Sequence, residues 1–110
     1  MGKQLAIKYG KDKYTLEYNR RSIQRLEAEG LVITEIDSKP ATMLPLLIGG
    51  AFYMHHSGIA AEKVEEIYGS VTDKEAFIEA LAEMYAEPLQ ALLENAEEAE
   101  GKNASWTKSW

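Results

Sequence analysis

The first eighteen residues constrain the fold more than any other stretch. QLAIKY (4–9) and YTLEY (14–18) each alternate large apolar with small or polar side chains, and Gly10-Lys11-Asp12-Lys13 separates them. Alternation at period two is the pattern of a strand with one buried face. With Lys11-Asp12 as a two-residue turn, Tyr9 faces Tyr14, Ile7 faces Leu16 and Leu5 faces Tyr18. Every large apolar side chain then lies on one face, with Lys8 and Glu17 on the other. A one-residue slip would scatter them, so the pattern itself specifies a hairpin. A lone hairpin is marginal in water, and the rest of the chain must cover its apolar face.

The rest has helical patterning. Asn19 suits an N-cap for a helix through Glu29, Gly30 suits the C′ position, and Ile23 and Leu26 would face the hairpin. Residues 31–36, LVITEI, fit either a third short strand or an extended crossing. Ser38 with Pro40 in the first turn predicts another helix start. From Met43 to Tyr53 that segment is apolar nearly all round, as in a central buried helix, and Gly49-Gly50 would let a neighbour come close. Residues 58–71 predict a short amphipathic helix with Ile59, Val64, Ile67 and Tyr68 inward. Thr72 and Glu75 have capping-box spacing and open the longest helix, about residues 73–99, with a kink expected at Pro88. The apolar stripe stops after Leu93. Residues 94–105 hold four Glu and no large apolar group, so they should fray into solvent.

The predicted fold is α+β and predominantly helical: an N-terminal β-hairpin packed on a small bundle of about four helices. Residues 1–93 form a single globular domain, and 94–110 an acidic, flexible C-terminal tail ending in two Trp. At 110 residues the chain is long enough for one core and too short for two.

Composition removes several function classes. There is no cysteine, which excludes disulfide scaffolds, thiolate metal sites and Cys nucleophiles and fits a reducing cytosol. The opening MGKQLAIKYGK lacks the apolar run of a secretion signal, and the longest apolar run, Met43 to Met54, is too short to span a bilayer. The net charge is −6, made of +2 over residues 1–55 and −8 over 56–110. An acidic chain with no basic stripe argues against nucleic acid as a partner, and Arg20, Arg21 and Arg25 read as a solvated helix face. A cytoplasmic protein without a membrane partner is expected.

Catalytic signals are equally sparse. His55-His56 is the one place for a metal or general base, but adjacent helical residues point about 100° apart and no third ligand is suggested. The pair reads instead as basic groups meeting a helix C-terminus. Glu62, Glu65 and Glu66 read as a solvated helix face. No nucleophile elbow, zinc-protease motif or phosphate loop occurs. The expectation is a protein that is not an enzyme, with no cofactor and no metal.

That leaves surfaces. Trp106 and Trp110 are four residues apart and would share one face of a bound helix; the alternative is that the tail folds back on its own core. A second candidate surface is Tyr85, Leu89, Leu92 and Leu93 near the end of the last helix, where ordinary core packing is the competing reading.

YTLEYNRRSIQRLEAEG, then KPATMLPLLIGGAFYMHH, then the acidic last helix and the ending WTKSW together resemble the short tail assembly chaperones of long-tailed phages and prophages of Gram-positive bacteria. The resemblance covers nearly the whole chain in order. It implies a holdase for the tape-measure protein, a long apolar-rich helical chain, which it keeps soluble while helping to recruit tail-tube subunits. It also implies a protein of the host cytoplasm that is not in the finished virion, and in many members a longer form made by ribosomal frameshifting. The family has no catalytic residues to carry over. Met54, Met84 and the Leu-rich end of the last helix would supply adaptable apolar surface, and a homo-oligomer is compatible with coating a client. The alternative is a small adaptor or regulatory domain docking on a folded partner through its Trp-containing tail.

Overall fold

The structure, a computed structural model, describes residues 2–95 and 103–110. Two antiparallel strands, β1 (Leu5–Tyr9) and β2 (Asp12–Leu16), precede α1 (Arg20–Ala28), a 3-10 turn (Ile33–Glu35), α2 (Pro40–Gly50), α3 (Ala61–Gly69) and α4 (Lys74–Leu93). The expected hairpin followed by four helices is therefore present. Residues 31–36 form neither a strand nor an extended crossing, because the 3-10 turn occupies their centre.

The hairpin register differs from the expected one by two residues. Leu5 pairs with Leu16, Ile7 with Tyr14 and Tyr9 with Asp12, so Gly10-Lys11 forms the turn in place of Lys11-Asp12. The cause is local: Gly10 has φ +62°, and a glycine at the first central position is what a tight hairpin turn of the II′ kind requires. A shift of two preserves which side chains share a face, so the apolar face survives the change.

The shift leaves Tyr18 beyond the strand, and it becomes a central core residue instead of Leu5's partner. Its ring meets Tyr85 edge-on at 5.3 Å, and its hydroxyl donates to the Leu47 carbonyl at 2.6 Å. In a continuing helix the Ala51 N–H would serve that carbonyl. Here it bonds Ile48 at 3.2 Å, and the tyrosine supplies the missing donor.

Each helix is bounded by identifiable chemistry. Asn19 Oδ1 accepts from the Ser22 N–H at 2.8 Å, and the Asn19 N–H donates back to Ser22 Oγ at 2.9 Å, a reciprocal cap for α1. At its other end Gly30 has φ +108°, the Leu31 N–H reaches the Leu26 carbonyl at 2.9 Å and the Gly30 N–H reaches Glu27 at 3.1 Å. This is a Schellman ending, closed by the buried pair Leu26 and Leu31. Leu26 presses on α2 at Gly50, whereas the sequence placed it toward the hairpin: a Cβ added at Gly50 would lie 2.8 Å from Leu26 Cγ. At Gly49 an added Cβ meets nothing within 4 Å, so the close approach expected of both glycines belongs to Gly50.

Two predicted caps move by one residue. Lys39, not Ser38, is the N-cap of α2, with Pro40 in the first turn; Ser38 Oγ donates to the Glu35 carbonyl instead. Asp73, not Thr72, caps α4, accepting from the Ala76 N–H at 3.1 Å. A carboxylate there also suits the positive end of the helix dipole.

Helix α4 runs through Pro88 and stops at Leu93, with Glu94 already extended, short of the predicted end near 99. Its last turn holds no basic residue and an acidic segment follows, so extension would place carboxylates against the negative end of the dipole. The expected fraying of residues 94–105 falls largely on 96–102, which lie outside the described residues.

The core is built around α2, which contacts α1, α3 and α4. Leu16, Ile23, Leu26, Leu47, Phe52 and Leu81 are fully buried in it. Among the described residues, no helix is long and apolar enough to cross a membrane.

Candidate functional site

The apolar candidates divide into buried and exposed groups. Tyr85 is 2% exposed and belongs to the core, against Tyr18, so it offers no surface to a partner. Met84, expected to provide adaptable surface, is buried as well, whereas Met54 is exposed. Leu89 packs partly against the core. One turn later the helix has outrun that core: Leu92 is 52% and Leu93 88% exposed. Trp106 and Trp110 are 80% and 94% exposed, so neither ring is folded back on the domain. Residues 103–110 carry no helix.

An apolar groove of about 350 Å³ opens between α2 and α3. Ile48, Gly49 and Tyr53 line one side, with Ile59, Val64 and Tyr68 on the other. Glu65 is the one charged residue that lines it. The Tyr53 wall is braced: its hydroxyl donates to Glu29 at 3.1 Å, the Arg25 guanidinium lies 4.1 Å over its ring, and Arg25 pairs with Glu29 at 3.2 Å. Burial, with the Glu29 carboxylate behind it, raises the phenol's pKa above its ordinary value. Ile59, Val64 and Tyr68 do face inward as expected, Val64 in the core and the other two partly buried against it, but they also line this groove, which the sequence reading did not suggest. The signal was Gly49, whose absent side chain leaves room that a larger residue would fill.

A polar cluster lies where the segment after α2 runs along β2. The Glu17 N–H donates to the Ala51 carbonyl at 3.0 Å, and the Thr15 N–H donates to His56 Nε2 at 2.9 Å. His56 thus stands in for a neighbouring strand's carbonyl and closes the free edge of a two-stranded sheet. Its Nε2 must carry the lone pair, which puts the proton of the neutral ring on Nδ1. His55 Nε2 contacts Glu17 Oε1 at 2.8 Å, and Gln4 Nε2 donates to the same oxygen at 2.8 Å. The His pair therefore binds the hairpin, where a helix C-terminus was expected. Glu17, assigned to the outer face, is buried. Among the described residues, no three of His, Asp and Glu come together to hold a metal ion.

This cluster has a pH consequence. The bond from His55, then that from Gln4, lowers the Glu17 pKa below its ordinary 4.5. A carboxyl with a lowered folded pKa stabilises the fold above its unfolded pKa and loses that contribution as pH falls through the folded value. Glu17→Gln should cost about 1.5–3 kcal/mol at neutral pH, the size of hydrogen bonds to a charged group. The deficit should shrink as pH drops below 4.5. Urea midpoints of both proteins across that range decide it; a constant gap would mean that the carboxylate contributes nothing specific.

A family model for a domain of unknown function, DUF5055, matches residues 1–110. The chain belongs to the DUF5055 family. No curated protein and no solved structure matches it. The exposed surface features of this DUF5055 chain, among the described residues, include an apolar helix end, two indoles and an apolar groove lined by one carboxylate.

Proposed function

We propose that this protein is a non-catalytic tail assembly chaperone of the host cytoplasm, which binds and solubilises a tape-measure protein and helps recruit tail-tube subunits. The observation that carries the reading is the exposure of Leu92 and Leu93, 52% and 88%, where the last helix of an acidic chain outruns the core. Burying such a side chain against a partner is worth roughly 1.5–3 kcal/mol each, a gain that the isolated domain forgoes. A client of long apolar helices supplies the matching surface, and helix-in-groove contacts need only apolar faces of adequate width. Net charge −6 favours solubility of a coated complex. The resemblance along the chain to phage tail assembly chaperones points the same way. Release would come from displacement by tail-tube subunits or from client folding.

The test is co-expression with the long helical protein encoded just downstream. Three forms are compared: the whole chain, the chain cut after Leu93, and the Leu92→Ser/Leu93→Ser double variant. The whole chain should render the client soluble and co-elute with it. The double variant should keep its thermal stability, because both leucines are exposed, while losing at least half of the soluble client. A client that stays insoluble, with the chain eluting by itself, would sink the chaperone reading in favour of an adaptor for a folded partner.

A further inference from the structure

We propose that the groove between α2 and α3 receives the Trp106-to-Trp110 segment of a second copy of this chain. The segment carries no helix, and in an extended backbone every second side chain points the same way. Trp106, Lys108 and Trp110 then form one face, a cation flanked by two indoles, with Ser and Thr on the other. The Lys108 ammonium lies 5.6 Å over the Trp110 ring, placing those two groups together. The groove offers the complement: apolar walls with one carboxylate, Glu65, which makes no ion pair among the described residues. At about 350 Å³ it has room for a large side chain, and its Tyr53 wall is already braced.

The structure favours a second copy over the chain's own tail. Trp106 and Trp110 are 80% and 94% exposed, so neither indole occupies the groove of its own chain. Each copy presents one segment and one groove, so the contact either closes as a reciprocal dimer or propagates into rings or open chains. It assigns the indoles to a neighbour and leaves Leu92 and Leu93 to the client. It needs no client, and so stands or falls apart from the chaperone reading.

Sedimentation equilibrium of the purified whole chain, from micromolar to millimolar concentration, tests it. The average mass should rise with concentration and fall back with added salt. Trp106→Ala/Trp110→Ala should stay monomeric, with an intact groove. Gly49→Leu should also stay monomeric, since its side chain grows into the groove from an unobstructed helical position, and its melting curve verifies folding. Mixing these two variants should restore a one-to-one complex, because one contributes the groove and the other the indoles. Charge reversal gives a second arm: Glu65→Lys or Lys108→Glu should each weaken association, and the two mixed should regain it. A whole chain that is monomeric throughout overturns the proposal. So does association that survives both the indole and the groove variants, or a mixture of them that stays monomeric.

Discussion

Phe52→Ala is expected to remove about 3–5 kcal/mol of stability, the usual cost of deleting a buried aromatic ring. For a domain of this size that lowers the melting temperature by roughly 10–25 °C. Phe52 is 1% exposed and follows the end of α2, where the chain turns toward the hairpin. Its ring meets Tyr14 of β2 edge-on at 5.9 Å and His56 at 6.3 Å. One side chain therefore joins the helical core to the strand pair. Removing it opens a cavity and also loosens the seat of His56, which caps the Thr15 N–H. The whole loss should appear in a single cooperative melt by circular dichroism, and amide exchange at Thr15 and Glu17 should accelerate. Phe52→Leu keeps most of the volume and should recover more than half of the loss. A cost below about 1 kcal/mol for the alanine variant would mean that the ring is not packed as described.

Gly50→Val should cost about 3 kcal/mol, at the upper end for overpacking, whereas Gly49→Ala should be neutral or stabilising by up to about 1 kcal/mol. The two glycines are neighbours on one helix with opposite surroundings. Any side chain at position 50 runs into Leu26, which is fully buried and fixed by the Schellman ending of α1. Position 49 faces the groove, so a methyl there meets nothing and relieves the entropic cost of a helical glycine. Parallel melts of the two variants are decisive. Equal shifts of the same sign would show that contact with Leu26 is not what position 50 requires.

Local chemistry explains what could be read ahead of the fold. The strand faces follow from period-two alternation, which a shift of two residues leaves intact. The Asn19 cap and the Gly30 ending follow from interactions within a few residues, as does the existence of each helix. Misplaced features had close local competitors. Gly10-Lys11 and Lys11-Asp12 both suit a turn, and positive φ decided for glycine. Thr72 and Asp73 both suit a cap, and the carboxylate took it. The end of α4 depended on how carboxylates meet the helix dipole, which a periodicity count does not register.

The site was less legible because exposure is a relation between elements. The spacing of Tyr85, Leu89, Leu92 and Leu93 marks one helical stripe, but only packing shows where the core beneath it ends, between Leu89 and Leu92. The groove depends on an empty volume beside Gly49, and the Glu17 cluster on His55 and His56 arriving from 38 or more residues away. By itself the sequence determined a hairpin with one apolar face, four helices, an acidic C-terminal half and two tryptophans in the last five residues, because these depend on near neighbours and composition. Only the tertiary structure decided that Tyr18 and Tyr85 are core, that Gly50 touches a neighbour while Gly49 faces a groove, and that Leu92 and Leu93 stay uncovered, because each depends on which distant surface arrives at that residue.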